Sequence, residues 1–366
     1  MSALFSPFKL REVVFKNRVF VSPMCQYSCV DGVVIDWHLV HLGSRAVGGA
    51  GMVMTEAAAV TAQGRISPDD AGMWCDAHVT AWKPIATFIK AHGSVPAIQL
   101  AHAGRKASCY TPWKAVAVYG NGHGKVAEAD GGWPVIGPSD TAFSQTYPKP
   151  HAMSLADIQQ VVADFVAATK RSLDAGFEVV EVHAAHGYLL HEFLSPASNL
   201  RTDDYGGNLE NRMRFPLEVC RAVRQNWPAH LPVMVRISAS DWREDALTVS
   251  DSIILCKVLK ILGIDLIDVS SGGNIADVKI PLSPGYQVPF ATAIKNAASI
   301  AVGAVGLITQ PIQAEQIVAT GLADAVFLAR ELLRNPYWPL HAAQALGDVA
   351  DWPNQYKRAL VSAVGK

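Results

Sequence analysis

The sequence lacks a long apolar segment and an excess of charge of either sign. Its most apolar stretch, residues 297–308, is too short and too rich in glycine and alanine to span a bilayer, and its first residues lack the basic start and apolar core of a signal peptide. Lysine and arginine number 31 against 32 for aspartate and glutamate, and this formal net charge of −1 offers no footprint for nucleic acid or an anionic membrane. We therefore expect a cytoplasmic protein with a small-molecule partner.

Paired cysteines are also missing. The six cysteines are scattered, with no Cys-x-x-Cys pair and no histidine at zinc-finger spacing, which predicts free thiols and argues against a zinc site built on cysteine. The Gly-x-Gly-x-x-Gly fingerprint of a doubly wound nucleotide-binding fold is absent as well. The nearest glycine-rich stretch, residues 120–124, follows no predicted strand and is interpreted as a loop. A nicotinamide coenzyme would have to bind by another route.

One local pattern recurs along the 366 residues, half of which are hydrophobic. An amphipathic helix ends at a glycine, and a short β-branched run follows. Ser154 begins the first such helix with the spacing of a capping box, Gly176 ends it, and residues 179–183 form the run. The pattern returns around Gly263 and around Gly321.

Eight apolar runs alternate with predicted helices, and no linker or low-complexity tract divides them. Continuous apolar strands that alternate with helices are typical of a parallel sheet covered on both faces. The predicted strands are 19–22, 52–55, 95–100, 179–183, 233–237, 266–270, 300–305 and 325–329. They predict one α/β domain over residues 1–366, a (β/α)8 TIM barrel, with residues 103–150 inserted after strand 3 as a long loop with room for a small hairpin.

The predicted strands end in polar groups that a packed core would not hold without partners. Because catalysis in this fold takes place at the C-terminal ends of the strands, we expect these groups to converge on a ligand. They are Cys25, Tyr27, Gln99, His102, Arg105, His183, His186, Tyr188, Arg236, Thr309 and Arg330, and Gly303 and Gly306 accompany them at the end of strand 7. Structural interpretations stay open for single members, since a histidine pair can be hydrogen-bonded in a core, Cys25 can be a small buried hydrophobe, and Arg236 can hold a buried carboxylate.

A flavin oxidoreductase is the function that these residues favour. The loops after strands 7 and 8 of this fold commonly hold a phosphate, so Gly306, Arg330 and Thr309, placed to cap the next helix, indicate a cofactor phosphate. Gln99 would pair with the edge of a heteroaromatic ring. Arg236 would offset negative charge on that ring when it is reduced.

A metal-dependent hydrolase or lyase is the alternative. The histidines that would serve as ligands are His38, His102, His183 and His186. Such a site also wants a carboxylate at a strand end in ligand spacing, and Glu56 and Glu181 are the only weak candidates. The flavin interpretation is therefore preferred.

Long blocks of the sequence follow one another in a familiar order. They include Ser22-Pro-Met-Cys-Gln-Tyr27, Gln99-Leu-Ala-His-Ala-Gly-Arg-Lys-Ala107, Glu181-Val-His-Ala-Ala-His-Gly-Tyr-Leu189, Phe193-Leu-Ser-Pro196, Asn199-Leu-Arg-Thr-Asp-Asp-Tyr-Gly-Gly207, Val235-Arg-Ile-Ser-Ala-Ser-Asp241 and Ala304-Val-Gly-Leu-Ile-Thr309. These blocks resemble the Old Yellow Enzyme family of FMN-dependent ene-reductases. Cys25 after Pro-Met, together with the His-x-x-His pair, is similar to the bacterial, thermophilic-like branch that includes xenobiotic reductases.

The resemblance implies an NADPH- or NADH-dependent ping-pong reduction of the C=C bond of activated alkenes: enones, enals, maleimides and nitroalkenes. Tyr27, His183 and His186 would hold the substrate, Tyr188 would donate a proton, and Cys25 would contact the flavin and tune its potential. The implied FMN-binding residues are Ser22, Pro23, Met24, Cys25, Ala57, Gln99, Arg236, Ala304, Val305, Gly306, Ala329 and Arg330.

Three segments depart from the family pattern. Ala329 stands where relatives commonly have glycine, which affects close approach of the backbone to a phosphate. Within residues 351–366, Gln355-Tyr-Lys-Arg358 resembles the segment by which relatives insert an arginine into a neighbouring subunit's site, but the residues after it diverge. This similarity implies a homodimer or homotetramer in which Arg358 contacts the substrate. Residues 109–140 match weakly, so the role of that loop is not carried over.

Overall fold

Eight parallel strands close into a barrel in the computed structural model, which describes residues 1–359. Strands β1–β8 are Val19–Val21, Met52–Ala59, Val95–Ala101, Val179–Ala184, Val233–Ser238, Leu266–Ser270, Ala301–Ala304 and Ala325–Leu328. Each strand pairs with its neighbours in chain order, and β8 pairs with β1 to complete the ring. Each begins within one residue of its predicted start, so the (β/α)8 barrel is confirmed.

Helices surround this ring and connect its strands. In chain order α1–α11 are Asp36–Val47, Asp76–Ala91, Pro112–Tyr119, Leu155–Asp174, Leu189–Leu194, Leu209–Asn226, Val249–Ile261, Val288–Ala298, Pro311–Ala319, Arg330–Arg334 and Trp338–Ala345. Two further strands, Phe8–Leu10 and Val13–Phe15, form an antiparallel pair before β1. Across residues 1–359, no helix is both long enough and apolar enough to cross a membrane.

The helix boundaries follow from capping chemistry. Ser154 Oγ accepts from the amide of Asp157 at 3.2 Å while the Asp157 carboxylate accepts from the Ser154 amide at 2.8 Å, which is the predicted capping box. Gly176, Gly263 and Gly321 have φ of +90°, +87° and +76°, a conformation in which other residues are strained.

The predicted cap at Thr309 is wrong. Helix α9 has Gln310 at its N-cap and Pro311 at its first position, and the Thr309 side chain caps nothing. Proline needs no partner for its missing N–H at that position and sets the backbone for the first turn, so the helix begins one residue later than a threonine cap would place it.

The barrel strands are buried on both faces, which explains their continuous apolar sequences. Every residue of β1–β6 and β8 is buried. Phe20 on β1 lies 4.8 Å from Phe15 and 5.4 Å from Phe327 on β8, measured between ring centroids, and all three rings are fully enclosed. This aromatic cluster packs at the point where the ring of strands closes.

The insertion after β3 contains more structure than the predicted loop. It includes helix α3 and a two-residue strand, Ile136–Gly137, which pairs with His151–Ala152. That pairing is parallel, so it is not the small hairpin for which the sequence left room; the long connection over residues 138–150 lets the chain return in the same direction, as parallel strands require. The one antiparallel contact within this insertion is an isolated bridge between Cys109 and Lys125.

Truncating Phe20 should destabilise the barrel strongly. Phe20→Ala empties a fully enclosed ring site and should lower the free energy of unfolding by about 3–5 kcal/mol. Ile261→Ala, at a position 83% exposed, should change it by no more than about 0.5 kcal/mol. Urea titrations followed by circular dichroism measure both, and equal losses in the two variants would contradict the packing described.

Candidate functional site

Four consecutive strands carry a row of buried polar side chains. Gln99 on β3 is in register with Glu181 on β4, and Arg236 on β5 is in register with Asp268 on β6. All four are buried, and Gln99 Nε2 donates to Glu181 Oε1 at 2.8 Å. His183 lies in register with Arg236, so the predicted strand-end residues do come together here.

The charges in this row nearly cancel at neutral pH. Burial raises the pKa of Glu181 to about 8, with Asp268 adding to the rise and Arg236 opposing it. Burial also raises the pKa of Asp268, to about 6, and Arg236 again opposes the rise. Burial therefore favours the protonated form of Glu181, while Arg236 favours the ionised form of Asp268, which faces its guanidinium.

Arg236 is held on one side and open on the other. Its Nε lies 3.1 Å from Asp268 Oδ2, an ion pair that is not aligned as a hydrogen bond. Its two terminal nitrogens make no hydrogen bond with the described residues, and they are not among the fully enclosed polar atoms. Arg236 thus holds a buried carboxylate, as one interpretation of the sequence allowed, and still presents free N–H groups to the cleft.

His183, His186 and Tyr188 form an aromatic group beside Arg236. The His183 ring centroid lies 5.3 Å from that of His186 and 5.2 Å from that of Tyr188. Burial, reinforced by the positive charge of Arg236, lowers the pKa of both imidazoles well below the usual range. Burial raises the pKa of the Tyr188 phenol well above its usual value. At neutral pH the cleft therefore contains two neutral imidazoles and a protonated phenol.

The turn that carries His186 and Tyr188 has a left-handed backbone, with φ of +59° at His186 and +71° at Gly187. A Cβ at Gly187 would lie 2.3 Å from the carbonyl oxygen of Gly273, so no larger residue fits there. Lys106 Nζ donates to the carbonyls of His186, at 2.9 Å, and Gly273, and thereby ties this turn to the loop after β6.

A buried pair, Asp241 and His191, holds the same turn through the amide of Gly187. The amide of Gly187 donates to His191 Nδ1 at 2.9 Å, and His191 Nε2 lies 3.1 Å from Asp241 Oδ1. Neither side chain of the pair is exposed. Burial acts to raise the pKa of Asp241, but His191 and a hydrogen bond from Ser195 Oγ hold it down at about 2. The carboxylate fixes the imidazole, and the imidazole fixes the turn.

The residues after β1 complete the opposite wall. Ser22 Oγ is buried without a partner, and Cys25 and Tyr27 follow it in a half-buried segment where Tyr27 has a φ of +50°. Burial raises the pKa of the Cys25 thiol well above its usual value, with the Asp70 and Glu56 carboxylates adding to the rise. Cys25 is therefore a neutral thiol and not a thiolate nucleophile.

Ala57 at the end of β2 joins this wall to Tyr188, since the two residues line one small cavity with Asp70. Burial raises the pKa of Tyr27, and both Cys25 and Tyr188 lie close enough to add to the rise. The residues predicted from strands 1, 2 and 4 therefore converge.

The ends of β7 and β8 form the third part of the cleft. Ala304 and Val305 are buried, and Gly306 has a φ of +119° that glycine alone adopts readily. Ala329, which departs from the family pattern, has a φ of −103°, outside the left-handed region that favours glycine. Arg330 is exposed and forms no ion pair with the described residues, which leaves its guanidinium available to an anion.

The metal-dependent alternative finds no support in the geometry. Within residues 1–359, no three His, Cys, Asp or Glu side chains are grouped so that they could hold a metal ion. His38 Nε2 lies 3.1 Å from Glu56 Oε1, and His102 Nδ1 accepts from the amide of Gly104 at 3.1 Å. Two of the proposed ligands are thus occupied by separate structural contacts.

Arg358 is not part of the cleft of its own barrel. It is exposed in a short 3₁₀ helix, Asn354–Ala359, and residues 351–355 line a cavity with Val47 and Gly93, which precede β2 and β3. This places the segment at the N-terminal end of the barrel. The rest of the predicted C-terminal segment, residues 360–366, lies outside the described residues.

Sequence reasoning missed Asp268, Ser270, His191 and Asp241. Asp268 and Ser270 occupy alternate positions of β6. The prediction treats this strand as an apolar run and assigns no role to its two polar residues. The period of two would have indicated that both side chains share one face. No local signal connects His191 to Asp241, because their pairing joins α5 to the loop after β5.

Sequence comparison shows extensive similarity to flavin-dependent enzymes. The sequence pattern of the NADH:flavin oxidoreductase / NADH oxidase family matches residues 3–348. The NADPH dehydrogenase of Geobacillus sp. (strain WCH70) is 49% identical over 357 residues, which cover 97% of this chain and 98% of the relative. The NADPH dehydrogenase of Bacillus cytotoxicus is 48% identical over 358 residues, covering 97% and 96%.

Solved structures share the same barrel. Morphinone reductase superposes with a TM-score of 0.77 at 26% identity, covering 96% of this chain and 92% of that one. A 2-naphthoyl-CoA reductase superposes with a TM-score of 0.84 at 26% identity over 94% of this chain, which spans about half of that protein's length (52%). The family implies FMN as the cofactor, a nicotinamide coenzyme as the reductant and small molecules as substrates. The chain belongs to the NADH:flavin oxidoreductase / NADH oxidase family, and its resemblance to the Old Yellow Enzymes is confirmed.

Proposed function

We propose that the protein is an NAD(P)H-dependent ene-reductase that reduces the C=C bond of activated alkenes, namely enones, enals, maleimides and nitroalkenes, in a ping-pong cycle. The observation that carries this proposal is the pairing of two neutral imidazoles, His183 and His186, with the protonated phenol of Tyr188 in one cleft. The NADPH dehydrogenase names of the relatives support NADPH as the coenzyme.

The cleft fits FMN by the chemistry of its unpartnered groups. Ser22 Oγ and Glu181 Oε2 are enclosed without partners, the terminal nitrogens of Arg236 are open, and Gly306 lets the backbone approach a phosphate closely. Bound FMN would supply hydride transfer from the coenzyme to the alkene. The residues that would hold it are Ser22, Pro23, Met24, Cys25, Ala57, Gln99, Arg236, Ala304, Val305, Gly306, Ala329 and Arg330.

Arg236 would place a positive charge beside the flavin ring, which becomes negative when it is reduced. Its ion pair with Asp268 fixes the guanidinium within the barrel, and the free N–H groups direct donors toward the cleft. In a site of low dielectric such fixed donors stabilise negative charge more than water does. Cys25, as a neutral thiol, would contact the cofactor and modulate its potential without reacting covalently.

The substrate would lie against the imidazole pair. His183 and His186 donate hydrogen bonds to the carbonyl or nitro oxygen, which draws electron density from the double bond and makes the β-carbon accept hydride. Tyr188 then transfers its phenolic proton to the α-carbon, so that one hydride and one proton saturate the bond. Tyr27 would help to orient the substrate. An alkene without an electron-withdrawing group should not react.

A neighbouring subunit would complete the site. Because Arg358 lies at the far end of its own barrel, its substrate contact requires a second copy of the chain whose cleft opens near that segment. A homodimer or a homotetramer would provide this arrangement. The exposed position of Arg358 supports the proposal.

Replacing Tyr188 by phenylalanine should slow one half-reaction only. The variant lacks the proton donor, so reoxidation by cyclohexenone should slow by about 10²-fold or more, while reduction by NADPH should stay close to the wild-type rate. Tyr205→Phe, which removes a hydroxyl bound to Glu218, is the matched control. Stopped-flow flavin absorbance measures both half-reactions. An unchanged reoxidation rate in Tyr188→Phe would show that Tyr188 is not the proton donor. A wild-type enzyme that reduces no enone would refute the proposed function.

Removing an imidazole should weaken substrate activation without releasing FMN. His186→Ala should lower kcat/KM for cyclohexenone by about 100-fold, because one of two hydrogen-bond donors to the substrate oxygen is lost. His183→Ala combined with His186→Ala should abolish binding of phenol ligands. The exposed His230→Ala is the control. Flavin content and ligand-induced absorbance changes measure the outcome; a double variant that binds phenols normally refutes the assignment.

The Asp241–His191 pair should stabilise the fold in a pH-dependent way. The pKa of Asp241 is depressed from 3.8 to about 2, so its contribution is present above pH 4 and is lost as the pH falls toward 2. Asp241→Asn should therefore cost about 3–5 kcal/mol at pH 7, and the gap to wild type should narrow below pH 4. Urea unfolding at several pH values measures this gap. The control is the exposed Asp174→Asn, whose free energy of unfolding should stay close to that of the wild type at every pH. If the difference between Asp241→Asn and the wild type does not change with pH, the linkage is excluded.

A further inference from the structure

His186 uses its two ring nitrogens differently. Nε2 lies 2.7 Å from Ser270 Oγ at the end of β6, where Ser270 is buried. Nδ1 makes no hydrogen bond with the described residues, and unlike Nδ1 of His183 it is not fully enclosed. One nitrogen is thus committed to the protein, and the other is open to the cleft.

A neutral imidazole carries a single N–H, so its tautomer decides what the open nitrogen can do. If Nε2 donates to Ser270, then Nδ1 is a bare lone pair that repels a carbonyl oxygen. If Ser270 donates to Nε2, then the proton resides on Nδ1 and can be donated to the substrate. The neutrality follows from burial beside Arg236, which lowers the His186 pKa.

The neighbours of Ser270 determine the direction of its hydroxyl. The other acceptor within reach is Gln287 Oε1, at the longer distance of 3.3 Å. That oxygen already accepts from Ser271 Oγ at 2.6 Å. Ser271 Oγ is committed to this bond because it accepts from the Trp242 indole N–H at 2.9 Å.

Gln287 is itself oriented by the backbone. Its Nε2 donates to the carbonyl of Val305 at 3.2 Å, so the amide oxygen faces the two serines. Gln287 Oε1 therefore already accepts a short hydrogen bond from Ser271, and its contact with Ser270 Oγ is longer than the contact of that hydroxyl with His186 Nε2. The Ser270 hydroxyl proton is left for the shorter contact, His186 Nε2.

We propose that Ser270 is a positioning residue that fixes the tautomer of His186, donating its hydroxyl proton to Nε2 so that Nδ1–H faces the cleft. Ser271 and Gln287 favour this direction, because the alternative acceptor already binds Ser271 and lies farther from Ser270 Oγ than His186 Nε2 does. The role assigned to Nδ1–H, donation to the oxygen of an activated alkene, rests on the proposed function. The tautomer itself does not.

The test is a two-bond ¹H–¹⁵N correlation spectrum of the FMN-loaded protein labelled with ¹⁵N-histidine. His186 is identified by the signals that disappear in His186→Ala. The wild type should show a protonated Nδ1 and a bare Nε2. Ser270→Ala should lose this preference and populate Nε2–H, while Ser270→Thr, which keeps a hydroxyl, should retain Nδ1–H. If the wild-type spectrum shows that the His186 imidazole is protonated on Nε2, the proposal is refuted by that measurement alone.

Activity gives a second readout. Ser270→Ala should raise the Kd of a phenol ligand and lower kcat/KM for cyclohexenone by about 10-fold, as expected for one poorly oriented hydrogen bond, and Ser270→Thr should recover most of the loss. Flavin content and circular dichroism confirm that each variant is folded. If the wild-type enzyme reduces enones but His186 in Ser270→Ala still carries its proton on Nδ1, the tautomer inference is refuted and the proposed function stands. Protein with the expected tautomers that reduces no alkene refutes the proposed function and leaves the tautomer assignment in place.

Discussion

A guanidinium held inside the barrel by one carboxylate governs the electrostatics of the cleft. An unpaired Arg236 would be too costly to bury, and Asp268 on the adjacent strand supplies the countercharge at 3.1 Å. The pair leaves a positive pole near His183 and His186, which together with burial keeps both imidazoles neutral. The same positive pole opposes the rise in the pKa of Glu181. Burial is the largest cause of these pKa shifts, and the charge of Arg236 adds to the shift at both imidazoles and opposes it at Glu181.

The mechanical constraint is the left-handed turn after β4. A backbone at φ +59° is not held by local preference, so contacts from elsewhere must maintain it. Lys106 binds its carbonyl, His191 binds its amide, and Ser238 Oγ accepts from the amide of His186 at 2.9 Å. These three groups come from different segments of the barrel. The orientation of the His186 and Tyr188 side chains is therefore a property of the closed ring of strands rather than of the turn itself.

Local chemistry explains why most of the fold was predictable. Continuous apolar runs, the capping box at Ser154 and the glycine at helix ends act within a few residues, and all eight strands followed from them. The strand-end rule then located Gln99, His183 and Arg236 in one cleft. Thr309 failed as a cap because the proline at residue 311 was a stronger local signal for the start of α9.

Choices between distant partners were not accessible in the same way. Whether residues 136–137 pair in parallel or antiparallel, and whether Arg236 meets Asp268 or Glu181, depends on how strands are arranged in three dimensions. The tautomer of a histidine depends on a hydroxyl whose direction is set by a third and a fourth residue. These three choices depend on contacts between distant residues, so no single segment of the chain could indicate them.

The permanent charges in the cleft nearly cancel, and this has a consequence for what the cleft can recognise. Within the barrel Arg236 is offset by Asp268 and burial favours the protonated form of Glu181, so the groups that face the proposed substrate are the neutral donors His183, His186 and Tyr188, while Arg330 lies at the separate phosphate end. Neutral donors gain most from charge that develops during a reaction, because a fixed dipole interacts more strongly with an oxygen as that oxygen becomes negative. If the proposed function holds, a cleft of this composition would bind a neutral carbonyl or nitro compound weakly in its ground state and stabilise it most as hydride arrives, which is the differential binding that catalysis requires.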